Sequence, residues 1–173
     1  MKALGRYFLM FALIAGTINV GFGQSSRKER QAAKAAAIKK MVDGGDYIFK
    51  ANYANPQGGG QKILNDDYDL RISKDSIIAF LPFYGTAYLA PIPGETEGGI
   101  KFTSTKFVYD SKLRKRGGWE VFIKPKDNNV TDWRDVQQMW LNISENGYAT
   151  LQVISSNRSS ILFDGEIEQK NNM

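Results

Sequence analysis

From Tyr47 onward the apolar residues recur at every second position, a spacing that an extended strand with one buried face satisfies and a helix does not. Tyr47, Phe49, Ala51 and Tyr53 alternate with Ile48, Lys50 and Asn52. Tyr68, Leu70 and Ile72 alternate with Asp67, Asp69 and Arg71, and the short Ser73–Ser76 link leads into Ile77, Ala79 and Leu81, a hairpin pattern. The same period continues through Trp119, Val121 and Ile123, then Met139, Leu141 and Ile143, then Ala149, Leu151 and Val153, then Ile161 and Phe163. Ile100 and Phe102 share one parity and Phe107 and Tyr109 the other, which a bulge near Ser104-Thr105 reconciles. Asn146-Gly147 suits a type I′ hairpin turn. About eight strands on mostly short links predict an antiparallel meander over residues 46–168. A sheet of that size closes into a barrel or splits into a sandwich to hide its edges. The expected fold is mainly β: a small lipocalin-like barrel, with a β-sandwich as the alternative.

Ahead of the alternation the period changes. Residues 24–45 read as one helix, running from Ser25 to Asp43. Ser26 and Glu29 form a capping box, Ala and Lys fill the interior, and Gly44-Gly45 end it. Its apolar positions (Ala33, Ala36, Ala37, Ile38, Met41 and Val42) make a thin stripe, suited to flanking or plugging a barrel. Further upstream, Lys2 and Arg6 precede the uncharged stretch Tyr7 to Ala15, and Gly21 and Gly23 supply small residues for cleavage before Gln24. That is the pattern of a signal peptide over residues 1–23. A membrane span needs about 20 strongly apolar residues, and this stretch is broken by Gly16, Thr17 and Asn19. The expected location is the periplasm or the exterior, with no transmembrane span left after cleavage. Residues 169–173 form a tail.

Composition narrows the chemistry. The 173 residues contain no Cys and no His, which excludes disulfides, thiolate nucleophiles, thiolate or imidazole metal sites and a Ser-His-Asp triad. The formal charge of +5 falls to +3 without Lys2 and Arg6, so nucleic acid is not an expected partner. No cofactor, metal site or catalytic residue is expected. Asn65-Asp66-Asp67-Tyr68-Asp69 lacks the ligand spacing of a calcium loop and reads as a strand whose solvent face carries Asp67 and Asp69. Asp127, Asp132 and Asp135 lie in a long connection, again without that spacing. Glu97-Gly98-Gly99 leads into a strand, whereas a phosphate cradle leads into a helix. Asp75-Ser76-Ile77 fits an Asp-Ser-aliphatic acceptor pattern for O-glycosylation at a turn.

Four motifs taken together carry a resemblance: Leu81-Pro82-Phe83-Tyr84-Gly85-Thr86-Ala87-Tyr88, Glu97-Gly98-Gly99-Ile100-Lys101-Phe102, Gly147-Tyr148-Ala149-Thr150-Leu151, and Asn157-Arg158 followed by Ile161, Phe163 and Gly165. The chain resembles the exported Bacteroidota domain-of-unknown-function family numbered 4251 over about Tyr47 to Ile167. The resemblance implies an exported, β-rich protein with lipocalin-type architecture and carries over no catalytic residue.

Two groups of residues are candidates for contact with other molecules. Tyr84 and Tyr88, beside Pro82 and Gly85, together with Trp119, are expected to wall a pocket, since such rings offer a face and a polar tip. Lys112, Arg114, Lys115 and Arg116 make the densest basic cluster, at a hairpin tip before Gly117-Gly118. With Trp133 in the 124–138 connection they form the expected interaction surface. The expected role is a non-catalytic barrel holding a small apolar or amphipathic ligand. The alternative is an interaction protein with a filled barrel, meeting a glycan or envelope component. A hydrolase built on carboxylates comes third.

Overall fold

The computed structural model describes residues 22–89, 98–127 and 135–170. One helix, α1 (Phe22–Gly44), precedes ten strands: β1 (Tyr47–Pro56), β2 (Lys62–Ile63), β3 (Asp69–Ile72), β4 (Ile77–Leu81), β5 (Ile100–Ser104), β6 (Phe107–Leu113), β7 (Trp119–Pro125), β8 (Gln138–Ile143), β9 (Tyr148–Ile154) and β10 (Ile161–Glu168). All pairings are antiparallel, and the sheet runs β5-β4-β3-β1-β10-β9-β8-β7-β6, with β2 added beside β1. The sheet curls nearly into a barrel, because β5 and β6 stand at its two ends although only Thr105 and Lys106 separate them in the chain. The expected single strand with a bulge near Ser104-Thr105 is therefore two strands. Eight antiparallel pairings separate β5 from β6 along the sheet, so the two run in the same direction. The parity change marks a bend that carries the chain from one end of the sheet to the other at an unsealed seam.

Alternation builds the interior as predicted. Val121, Leu141, Leu151, Phe163 and Ala54 stand opposite one another across five neighbouring strands, and all are fully buried. Tyr47, Phe49, Leu70, Ile72, Ile77 and Leu81 continue this core on the other side. The barrel is thus filled by its own side chains, as small barrels of this strand number commonly are.

Tyr53 departs from the expected face. The register of β1 against β10 slips between Ala51 and Tyr53, so Asn52 and Tyr53 both point outward and Ala54 returns to the core. The neighbouring cause is Gly165. A Cβ placed there would lie 1.8 Å from the Lys50 carbonyl oxygen, so only glycine lets β1 approach this closely where it bulges.

α1 starts at Phe22, ahead of the expected cap, so Ser26 and Glu29 lie within the helix. A lone Gly such as Gly23 costs a helix only about 1 kcal/mol and does not stop it. The other end behaves as predicted. Gly45 takes φ 56°, its amide donates to Val42 O at 3.1 Å, and Asp46 N donates to Met41 O at 3.2 Å, which is a Schellman closure. Of the apolar stripe, Ile38 and Val42 are buried and Met41 partly so, while residues 27–37 of the helix stand largely exposed. A polar clip completes the docking: the Tyr109 hydroxyl donates to Val42 O at 2.7 Å and lies 3.3 Å from the Tyr47 hydroxyl. Burial pushes Tyr109 up to about 12 and Tyr47 well above its ordinary value, so both stay neutral.

Candidate functional site

The β6–β7 tip places the basic cluster. Gly117 N donates to Arg114 O at 3.1 Å, Arg114 N donates to Gly118 O at 2.9 Å, and Gly117 takes φ 85°. Lys115 and Arg116 keep negative φ, so this is a type I turn closed by a glycine bulge. The β8–β9 tip repeats it with Ser144 and Gly147 (φ 83°). Asn146 also keeps negative φ, which corrects the expected type I′ turn.

Below the β6–β7 tip the outer wall is concave. A groove of about 540 Å³ is lined by Arg114 and Arg116 above, Tyr53 and Tyr148 at its sides, and Thr150 and Asp164 on the strands beneath. Asp164 is held from two sides, accepting from Asn55 Nδ2 at 2.7 Å and from Thr150 Oγ1 at 2.8 Å. Tyr53 and Tyr148 are 40% and 67% exposed, so their rings are available to another molecule. Among the described residues neither guanidinium has a carboxylate partner. Lys112 is different: its ammonium pairs with Asp110 at 2.8 Å, and that hydrogen bond raises its pKa above the ordinary lysine value. Lys115 is exposed at the turn apex and is not part of the groove wall. Trp133 lies outside the described residues.

The aromatic candidates separate. Trp119, 5% exposed, belongs to the core beside Leu113 and Ile143. Tyr84 and Tyr88, 38% and 67% exposed, stand on the segment after β4. That segment is tied to the β9–β10 loop: Tyr88 N donates to Asn157 O at 2.7 Å, Ser159 N to Thr86 O at 2.9 Å, and Ala87 bridges to Arg158. A Cβ on Gly85 would sit 2.4 Å from Ser159 Oγ, so glycine permits this approach. The corner is pinned by Arg158, which is 2% exposed. Its guanidinium lies 4.6 Å over the Phe83 ring and donates to Gly98 O at 3.1 Å. The carbonyl oxygens of Gly98-Gly99 thus face a cation, the opposite polarity to an anion cradle. Tyr68, Phe80 and Phe83 line a smaller groove of about 280 Å³ nearby.

The acidic clusters serve the scaffold. Asp69, expected on the solvent face, is 5% exposed and accepts from Arg71 Nε at 2.8 Å. Asp127 braces the Thr105-Lys106 bend at the seam, accepting from the Ser104 hydroxyl, from Thr105 N at 2.9 Å and from Lys106 N at 3.2 Å. These bonds, the Ser104 one foremost, hold its carboxyl down to about 2. Asp135 is buried and braces the β9–β10 loop through Ser155 Oγ, Ser156 N and Asn157 N. Glu97 and Asp132 lie outside the described residues.

Sequence reasoning singled out Arg114 and Arg116 but not Tyr53, Tyr148 and Asp164, which line the same groove. The strand period marks Tyr148 and Asp164 as outward, which is also the ordinary place for a polar residue. Nothing in the period marks Tyr53, whose face depends on the bulge at Gly165.

A single antiparallel sheet rolled around its own side chains, with a helix docked by a tyrosine clip and its groove on the outside, defines a barrel-like β domain. Comparison with known families assigns it: the model described as "Domain of unknown function (DUF4251)" matches residues 29–167, and the chain belongs to that family. A crystal structure of a DUF4251 family protein from Bacteroides eggerthii is similar at a TM-score of 0.55 and 14% identity, covering 80% of this chain and 91% of that one. At this identity the likeness is one of fold. No curated protein matches the sequence.

Proposed function

We propose that the protein is an exported, non-catalytic binding module of the cell envelope that takes its ligand on the outer wall, in the groove under the β6–β7 tip. The observation that carries this reading is the pairing of a side-chain-filled barrel with a groove of about 540 Å³ outside it, whose two guanidiniums have no carboxylate partner among the described residues. That volume lies in the range of small-molecule sites. Binding is favoured over hydrolysis because Asp69, Asp127, Asp135 and Asp164 each already hold a neighbouring side chain or loop. Export rests on the signal-peptide pattern of residues 1–23.

The test has two arms. N-terminal sequencing of the protein from its own host is expected to begin at Gln24, in an extracytoplasmic fraction; an intact Met1 in the cytoplasm overturns export. In thermal-shift measurements, fractionated envelope material is expected to raise the melting temperature of the mature chain, and R114E/R116E is expected to abolish the shift. A shift untouched by that double variant overturns the groove as the site.

A further inference from the structure

We infer that the groove is built for an acid-bearing saccharide, a uronic acid unit within a short glycan; this rests on the outer-wall reading above. Three features converge. The floor is polar and held in place: Asp164 uses one oxygen on Thr150 and the other on Asn55. A carboxylate has about four acceptor sites, so lone pairs remain for hydroxyl donors from above. Tyr53 and Tyr148 flank that floor with exposed rings, whose faces suit the C–H side of a pyranose and whose hydroxyls suit its rim. Arg114 and Arg116 complete the wall, and the guanidinium fork matches a planar carboxylate in two parallel hydrogen bonds.

Charge decides among anions. Two arginines against Asp164 leave the lining at +1, with the Glu145 carboxylate just outside, beside Gly117. One negative charge per sugar ring is matched, whereas a polyphosphate carries a charge on every phosphorus and would crowd several of them against Asp164. A purely apolar ligand would strip water from Asp164 and both guanidiniums without replacing their hydrogen bonds. An uncharged sugar would leave the arginines unanswered.

The experiment is calorimetric titration of the mature chain with trigalacturonate and with its fully methyl-esterified form, which keeps the rings and removes the charge. The acid is expected to bind about tenfold or more tightly than the ester, as loss of a charge-assisted pair implies. R114Q/R116Q is expected to erase that preference. Y53A/Y148A is expected to weaken both ligands alike. Both arginines and both tyrosines are exposed, so melting temperatures should hold and loss of binding reads on the site. Equal binding of acid and ester, or a preference surviving R114Q/R116Q, overturns the assignment. If neither trimer binds while envelope material still shifts the melting temperature through Arg114 and Arg116, the saccharide assignment falls and the outer-wall site stands.

Discussion

Single residues decide where this protein presents its chemistry, and several of the decisive ones are glycines or loop carboxylates. Gly165 admits the Lys50 carbonyl to 1.8 Å of where a Cβ would be. The Gly165→Ala variant is therefore expected to lose about 1–3 kcal/mol, as overpacking does, read as a lower midpoint in urea. Because the bulge turns Tyr53 outward, the same variant should also weaken the groove. Asp127 gives a pH prediction. Its carboxyl is held at about 2 against an ordinary 3.8, so the folded state favours the charged form. The stabilisation is then complete above the unfolded value and lost as pH falls from 3.8 toward about 2. Acid titration of stability should show that loss in the wild type and not in D127N. These roles were illegible in the sequence for a physical reason. A glycine in a strand or an aspartate in a loop looks alike whether it meets backbone or water, and only the neighbouring chain tells them apart.

At the scale of elements, helix and turns were legible in kind and less so in detail. The C-terminal stop of α1 is local, since Gly45 and the Val42 and Met41 carbonyls lie within one turn, and it formed as expected. The helix already includes Phe22, ahead of the capping box, because a capping box competes with continued helix. Both hairpin tips show how turn chemistry narrows but does not select: Gly147 takes the positive φ that Asn-Gly promises, while Asn146 stays at negative φ. Gly117 at φ 85° has the same role at the tip that carries the arginines. Gly117→Ala should cost about 1–2 kcal/mol, the penalty of a side chain in the left-handed region. It should loosen ligand binding more than Gly147→Ala does, because only the first tip carries groove arginines. Docking of the helix rests on Ile38, Val42 and the tyrosine clip. Tyr109→Phe removes the bond to Val42 O and should cost about 0.5–1.5 kcal/mol, with faster amide exchange in the last turns of α1 as the local signature.

Across the whole molecule, closure is what the fold accomplishes. A nine-strand path hides both faces of the question at once: apolar residues fill the inside, and the edges are drawn together at a seam held by Asp127. Filling of the interior is testable at its central belt. Leu141→Ala removes a fully buried side chain and should lose about 2–5 kcal/mol by calorimetric or urea unfolding; a near-neutral result would indicate space inside. The sequence by itself determined the secondary structure class, the inward face of most strands, the helix stop and the basic tip. Each of these depends on periodicity or on residues a turn apart. Tertiary structure alone decided that β5 and β6 are sheet ends, that Tyr84 and Tyr88 stand apart from Trp119, and that Tyr53 joins Arg114, Arg116 and Asp164 in one groove. Those outcomes depend on strand order, on a register slip and on close approach between distant segments. No local pattern encodes them, because they depend on residues brought together from distant parts of the chain, as in the contact of Gly165 with Lys50.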